Sequence, residues 1–178
     1  MLRCLKQISK RFFIGGGLIV SQFLLGCVSV DQILIPPVPK KAEGLQFTSP
    51  SSYPKSDFKE VKNSTVDLAW QNTKNGNTIA YLSECNPKTD PSLKAMEAEN
   101  LAALTNVEIV ETNDTNYNER EALISTVNGQ VDGVEVRIRQ VIFKKNGCNF
   151  TLSYVGRRKF FDKDEKTFKL FVEGFKAP

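Results

Sequence analysis

Val66-Asp67-Leu68-Ala69-Trp70 and Ile79-Ala80-Tyr81 carry the two-residue hydrophobic period of half-buried strands, and the Asn75-Gly76 dipeptide between them is a strong hairpin signal. A two-residue loop there pairs Lys74 with Asn77, Asn72 with Ile79, Trp70 with Tyr81 and Leu68 with Ser83. Trp70, Ile79 and Tyr81 then share the buried face. Asn146-Gly147 offers a second loop of this kind. Closing it in two residues sets Arg139 opposite Tyr154 and sends Val136 and Ile138 to the wrong face. A three-residue loop Lys145-Asn146-Gly147, with Gly147 left-handed, is therefore expected; it pairs Ile142 with Phe150, Gln140 with Leu152 and Ile138 with Tyr154. Upstream, Ala122 to Asn128 and Val134 to Phe143 read as strands separated by the turn region Gly129-Gln130-Val131-Asp132-Gly133, which gives a meander of three strands.

The period lengthens twice. Pro91 stands at the first helical position behind Asp90, and Leu93, Met96, Leu101 and Leu104 then fall on one helical face. Near the carboxyl end, Asp162 and Glu165 have capping-box spacing ahead of Phe168, Phe171, Val172 and Phe175, an apolar stripe expected to be core. With a first strand near Leu45 to Thr48, the element order is β-β-β-α-β-β-β-α. That order predicts an α+β fold, an antiparallel sheet with helices packed on it.

The amino-terminal pattern is of another kind. Arg3, Lys6, Lys10 and Arg11 precede an apolar run from Phe12 to Leu25, and the first acidic residue is Asp31. This has the layout of a signal peptide and falls short of the roughly 20 apolar residues of a spanning helix. The run ends in Leu24-Leu25-Gly26-Cys27, which resembles the lipobox of bacterial lipoproteins. The resemblance implies cleavage between Gly26 and Cys27, so that residues 1–26 are a lipoprotein signal peptide. It also implies acylation of Cys27 and attachment to a membrane through several acyl chains, since one chain binds only marginally. Val28 after the cysteine lacks the Asp that retains such proteins in the inner membrane, so the outer membrane, on its periplasmic leaflet, is the expected address. Ser9-Lys10-Arg11-Phe12-Phe13-Ile14 also resembles a twin-arginine export motif with Lys at the first arginine, and the export route stays open. Residues 27–44, with three prolines between Pro36 and Pro39, read as the lipidated cysteine and an extended tether, and 45–178 as one domain.

Charge and cysteine usage change meaning once the leader is removed. The whole chain carries 24 Lys plus Arg against 20 Asp plus Glu. All four excess cations lie in the leader, so the chain from Cys27 is formally neutral and a nucleic-acid partner is not expected. There is no histidine, which excludes the Ser-His-Asp triad, the Cys-His pair and His-ligated zinc. Cys4 leaves with the leader and Cys27 takes lipid. Cys85 and Cys148 remain; an oxidising envelope should pair them, for about 4 kcal/mol by the chain-entropy estimate, the alternative being two unrelated buried thiols.

Several segments together resemble the PsbP-like fold superfamily, shared by photosystem extrinsic proteins, a nuclear-import factor and DcrB-type envelope lipoproteins. They are Phe47-Thr48-Ser49-Pro50, Asn77 to Ser83, Cys148-Asn149-Phe150-Thr151-Leu152-Ser153-Tyr154, and Phe168 to Phe175. The resemblance implies a non-catalytic adaptor or accessory role and carries over no functional residue.

The residues agree with that role. No phosphate loop, metal-ligand cluster or nucleophile beside a base is present in the pattern, so no catalytic residue, metal or cofactor is expected. Glu97 and Glu99 fall on different sides of a helix, Glu119 and Glu121 flank Arg120 in a polar loop, and Asp162, Asp164 and Glu165 are an ordinary acidic helix start. The best candidate surface is basic. Arg137 and Arg139 are expected to project outward from the face opposite Val136 and Ile138, and Arg157, Arg158 and Lys159 follow the next strand. Such a surface fits an acidic partner, lipid phosphate or lipopolysaccharide, and its plainer reading is edge protection by charge. A lipid-anchored binding or accessory lipoprotein is thus expected, with a histidine-independent hydrolase and a small-ligand or lipid carrier as the alternatives.

Overall fold

The structure, a computed structural model, describes residues 40–178. The leader, the lipobox and Cys27 lie outside the described residues. Seven antiparallel strands form one sheet: β1 (Phe58–Val61), β2 (Leu68–Asn72), β3 (Thr78–Cys85), β4 (Thr105–Tyr117), β5 (Arg120–Val131), β6 (Val134–Lys145) and β7 (Cys148–Arg157). Their spatial order is β1-β2-β3-β7-β6-β5-β4, so β3 and β7 pair at the centre. Helix α1 (Leu93–Leu101) packs on one face and α2 (Glu165–Gly174) on the other. The α+β class expected from the pattern is the one observed.

β4 to β7 are joined by two-residue loops in which both residues are left-handed: Asn118-Glu119, Asp132-Gly133 and Asn146-Gly147. Those backbone angles match the right-handed twist of the strands they join, and Asn, Asp and Gly adopt them at least cost. Glu119, at a φ of 64°, is the exception.

Two cores result, one on each face of the sheet. Under α2, Trp70, Ile79, Tyr81, Phe143, Phe150, Leu152 and Tyr154 pack against Phe161, Phe168, Phe171 and Phe175. On the other face Met96 of α1 covers Leu123 and Ile142, with Leu93 at the margin. Asn100 also reaches down from α1 to Gln140 Oε1 at 3.1 Å, and the Gln140 amide donates to Ser125 Oγ at 3.1 Å. Gln140 and Ser125, both buried on this face, are thereby bonded, whereas the buried Glu97 Oε1 of α1 has no partner among the described residues.

The two-faced core corrects the β6–β7 register. The loop is the two-residue Asn146-Gly147, pairing Lys145 with Cys148, Phe143 with Phe150, Val141 with Leu152 and Arg139 with Tyr154. The three-residue loop follows only if Val136 and Ile138 share a face with Phe150 and Tyr154, whereas these two residues belong to the α1 face. In the β2–β3 hairpin the observed pairs are Leu68 with Tyr81 and Trp70 with Ile79, two residues away from the expected register. The loop runs from Thr73 to Gly76, closed by Asn72 N–H to Asn77 O at 2.8 Å and Gly76 N–H to Asn72 O at 2.9 Å. An even shift leaves every side chain on its expected face.

Four element boundaries also move. Residues 45–48 are not a sheet strand: Gln46 exchanges two backbone hydrogen bonds with Lys176, while Phe47 packs among Trp70, Tyr81, Phe171 and Phe175. The segment is a strap across α2's end, held by its aromatic ring, and the first strand is β1. A fourth strand, β4, precedes the meander, so Glu119 is in a tight turn and Glu121 is in β5, with no polar loop between strands. α1 begins two residues later than expected, because Ser92 Oγ caps it by accepting from Ala95 N–H at 3.2 Å. Asp162 caps nothing; it lies in a 3-10 turn, Arg158–Lys163, and α2 starts after Asp164.

Cys85 and Cys148 face each other across the β3–β7 seam and are joined as a disulfide. The chain reaches the sheet at this end. Lys40 bridges to Cys85, Ala42 N–H donates to Ser83 Oγ at 2.9 Å, and Lys41 pairs at 3.1 Å with Asp67, whose other oxygen accepts from Ser83 N–H at 2.9 Å. Residues 40–42 of the expected tether are thus tied to the domain.

Candidate functional site

β7 runs about 30 Å from Cys148 to Arg157, so its far end is one sheet length from the place where the chain arrives. There the chain enters the 3-10 turn. Phe161 is buried beneath this turn, Tyr154 donates its hydroxyl to Phe161 O, and Asn77 Nδ2 donates to Phe160 O at 2.9 Å. These contacts fix the turn as a rigid platform. Its acidic neighbours face inward: Asp164 accepts from the side chains of Asn72 at 3.0 Å, Asn75 at 2.7 Å and Asn77 at 2.8 Å, and Glu165 accepts from Arg139 at 2.7 Å.

The cations sort differently. Arg157, Arg158, Lys159 and Lys163 are exposed, and none joins an ion pair among the described residues. The Lys159 and Lys163 ammonium groups lie 4.8 and 4.9 Å from the centroid of the half-buried Phe160 ring, where the ring's negative face attracts them. A domain with balanced charge therefore presents a local positive surface, because Asp164 and Glu165 are drawn below while four cations stand above beside a single exposed carboxylate, Asp162.

Arg137 and Arg139 do not project outward as expected. They lie on the α2 face of β6, half-buried. Arg139 pairs with Glu165, and Arg137 packs 5.5 Å over Phe161, donates to Asn128 Oδ1 at 2.9 Å and approaches exposed Asp162 at 3.7 Å. They support the platform from beneath, while Arg157, Arg158 and Lys159 stand on it. Sequence reasoning missed Lys163, which the 3-10 turn returns to the same ring as Lys159. Its signal was the Phe160 between the two lysines.

The space between the sheet and α2, where a carried ligand would lodge, is filled by the aromatic cluster of Phe47, Trp70, Tyr81, Phe150, Phe171 and Phe175. Two open depressions of about 600 and 630 Å³ flank Lys144 at the Cys148 end and hold mixed charge, with Lys144 paired to Asp90. Of the expected carboxylate pairs, Glu97 is buried under α1 and Glu99 is exposed, so they do not converge. Among the described residues no group of three or more Cys, Asp or Glu is placed to hold a metal ion, and no helix is long and apolar enough to cross a membrane.

No family model matches this chain, and no curated protein matches it. Solved structures do. LpqN of Mycobacterium tuberculosis, a protein involved in cell envelope biogenesis, superposes with a TM-score of 0.58 at 12% identity over 75% of this chain and 83% of its own. The cyanobacterial PsbP of Synechocystis sp. PCC 6803 superposes with a TM-score of 0.54 at 13% identity over 76% of this chain and 87% of its own. At these identities the likeness is one of architecture, and the domain has the PsbP-like α+β fold.

Proposed function

We propose that this chain is a lipid-anchored, non-catalytic accessory lipoprotein of the bacterial envelope. It is cleaved between Gly26 and Cys27, acylated at Cys27 and held at the periplasmic leaflet of the outer membrane. Its disulfide-bonded domain meets an acidic partner through Arg157, Arg158, Lys159 and Lys163. The observation that carries the partner reading is the sorting of charge around the 3-10 turn, with Asp164 and Glu165 engaged by Asn and Arg side chains and four exposed cations in no ion pair among the described residues. Arginine forks suit carboxylates, and arginines and aromatic rings are both enriched at protein interfaces. The platform stands at the end of the sheet opposite Lys40. The envelope role ascribed to LpqN agrees with this reading, and the aromatic filling beneath α2 speaks against a carrier.

Two measurements test it. Metabolic labelling with an alkyne fatty acid should mark the wild type and not Cys27→Ser; equal labelling of both removes the anchor. A photoreactive residue at Lys159 in the full chain should crosslink in cells to an acidic protein segment, and Arg158→Glu with Lys163→Glu should abolish the crosslink. A crosslink that survives charge reversal, or one only to lipid, overturns the partner reading.

A further inference from the structure

The two edges of the sheet are unlike. β1 has four residues and carries Lys59. β4 has 13 residues, contains no Lys, Arg or Pro, and is exposed from Thr105 to Asn116. Irregular pairing between Thr105 and Glu111 disrupts its first half, and Asn106 there has a φ of 51°. The second half is regular. Glu111 to Tyr117 pair residue for residue with Thr126 to Arg120, and among the described residues no strand pairs with the outer side. Every second residue of this stretch turns its N–H and C=O away from the sheet. Natural edges of this length are normally blunted by Lys, Pro or a bulge, and this stretch has none of them.

We propose that Glu111 to Tyr117 is a strand-addition site, and that its occupant is an extended basic segment of a partner protein. Backbone pairing supplies the attraction and side chains select the occupant. Within the stretch β4 bears Glu111 and Asp114, three positions apart and so on opposite faces, with Thr and Asn between them and no cation of its own. A segment of Thr or Val that carries a Lys or Arg on each of its two faces complements this pair. A second copy of this chain does not, since antiparallel pairing of Glu111 to Tyr117 with itself brings four carboxylates to one seam. The site is distinct from the basic platform and independent of acylation.

The test is amide hydrogen exchange on the full chain in non-ionic detergent. The probe is a seven-residue peptide of Val and Thr with two Lys three positions apart, and the control has Glu in place of each Lys. The Lys peptide should slow exchange roughly tenfold or more at alternate amides of 111–117, a signature peculiar to strand pairing. The Glu peptide should not, and Glu111→Lys with Asp114→Lys should remove the protection while leaving exchange in β5 to β7 unchanged. Protection by both peptides alike, protection elsewhere than β4, or none at all overturns the proposal. Protection of β4 that grows with chain concentration and without peptide assigns the edge to a second copy and overturns the basic occupant.

Discussion

Asn77 shows how much one side chain holds. It is fully buried, and its amide donates to the Tyr154 hydroxyl at 2.9 Å, to Phe160 O and to Asp164, tying the β2–β3 loop, β7 and the start of α2 together. Its oxygen presses on Gly156, where an added Cβ would stand 2.2 Å from Oδ1 and 2.9 Å from Cγ. Asn77→Ala should cost about 2–3 kcal/mol by orphaning buried groups, and Gly156→Ala about 1–3 kcal/mol by overpacking. Together they should cost clearly less than the sum, since the first change removes the atoms the second strikes. Urea titration of the four species checks this, and simple additivity would deny the contact. The tyrosines make a second residue-scale prediction. Burial raises the hydroxyls of Tyr81, Tyr117 and Tyr154; Tyr81, with Asp67 and Glu60 adding to the effect, is pushed up to about 12. Unfolded tyrosine titrates near 10, so above that pH the unfolded state binds fewer protons than the folded one. Stability from these groups is complete below about pH 10 and is lost as pH climbs through the folded values. Urea midpoints at stepped pH should fall only above about pH 10, and absorbance at 295 nm should rise late and together with unfolding; a gradual rise centred near 10 would contradict burial.

Elements were legible where the cause was local. Asn146-Gly147 announced its hairpin and the phenylalanine stripe announced α2, because turn geometry and helical period are written in neighbouring residues. The exact β6–β7 pairing depended on whether one face of β6 was buried or two, and only α1's position over Ile142 decides that. The β2–β3 loop lengthens because Asn72 and Asn75 are drawn to Asp164, a residue 92 and 89 positions away. β4 escaped because an edge exposed on both faces has no alternation to read. In the candidate site, the Arg157 to Lys159 cluster was visible as a run, whereas the burial of Arg137 and Arg139 follows from Glu165 and Phe161 crossing over β6. The hairpins also hold a testable weakness. Glu119 occupies a left-handed turn position that Gly fills in the other two loops, and its contact with Lys145 is long, at 3.8 Å, from a 90% exposed carboxylate. Glu119→Gly should raise stability by about 0.5–1 kcal/mol in thermal or urea unfolding, and a loss would mean the contact outweighs the backbone strain.

At the scale of the molecule, the sheet is two sequence-local halves, β1 to β3 and β4 to β7, joined along the single seam of β3 with β7. The meander closes through two-residue loops, so its contacts form cheaply, while the seam joins residues up to 77 positions apart and must offset a long loop closure. Each end of the seam is fastened, by Asn77 with Tyr154 at one and by the Cys85–Cys148 disulfide at the other. The disulfide lies in the loop-closing direction, so its loss should act on the seam before it acts on the meander. Replacing both cysteines by serine should lower stability by about 4 kcal/mol on the chain-entropy estimate. Hydrogen exchange under native conditions should then quicken first in β1 to β3, with β5 and β6 the last to open. A variant that loses stability evenly, with the meander opening alongside β1 to β3, would show that the sheet unfolds as one unit and that the seam has no separate weakness.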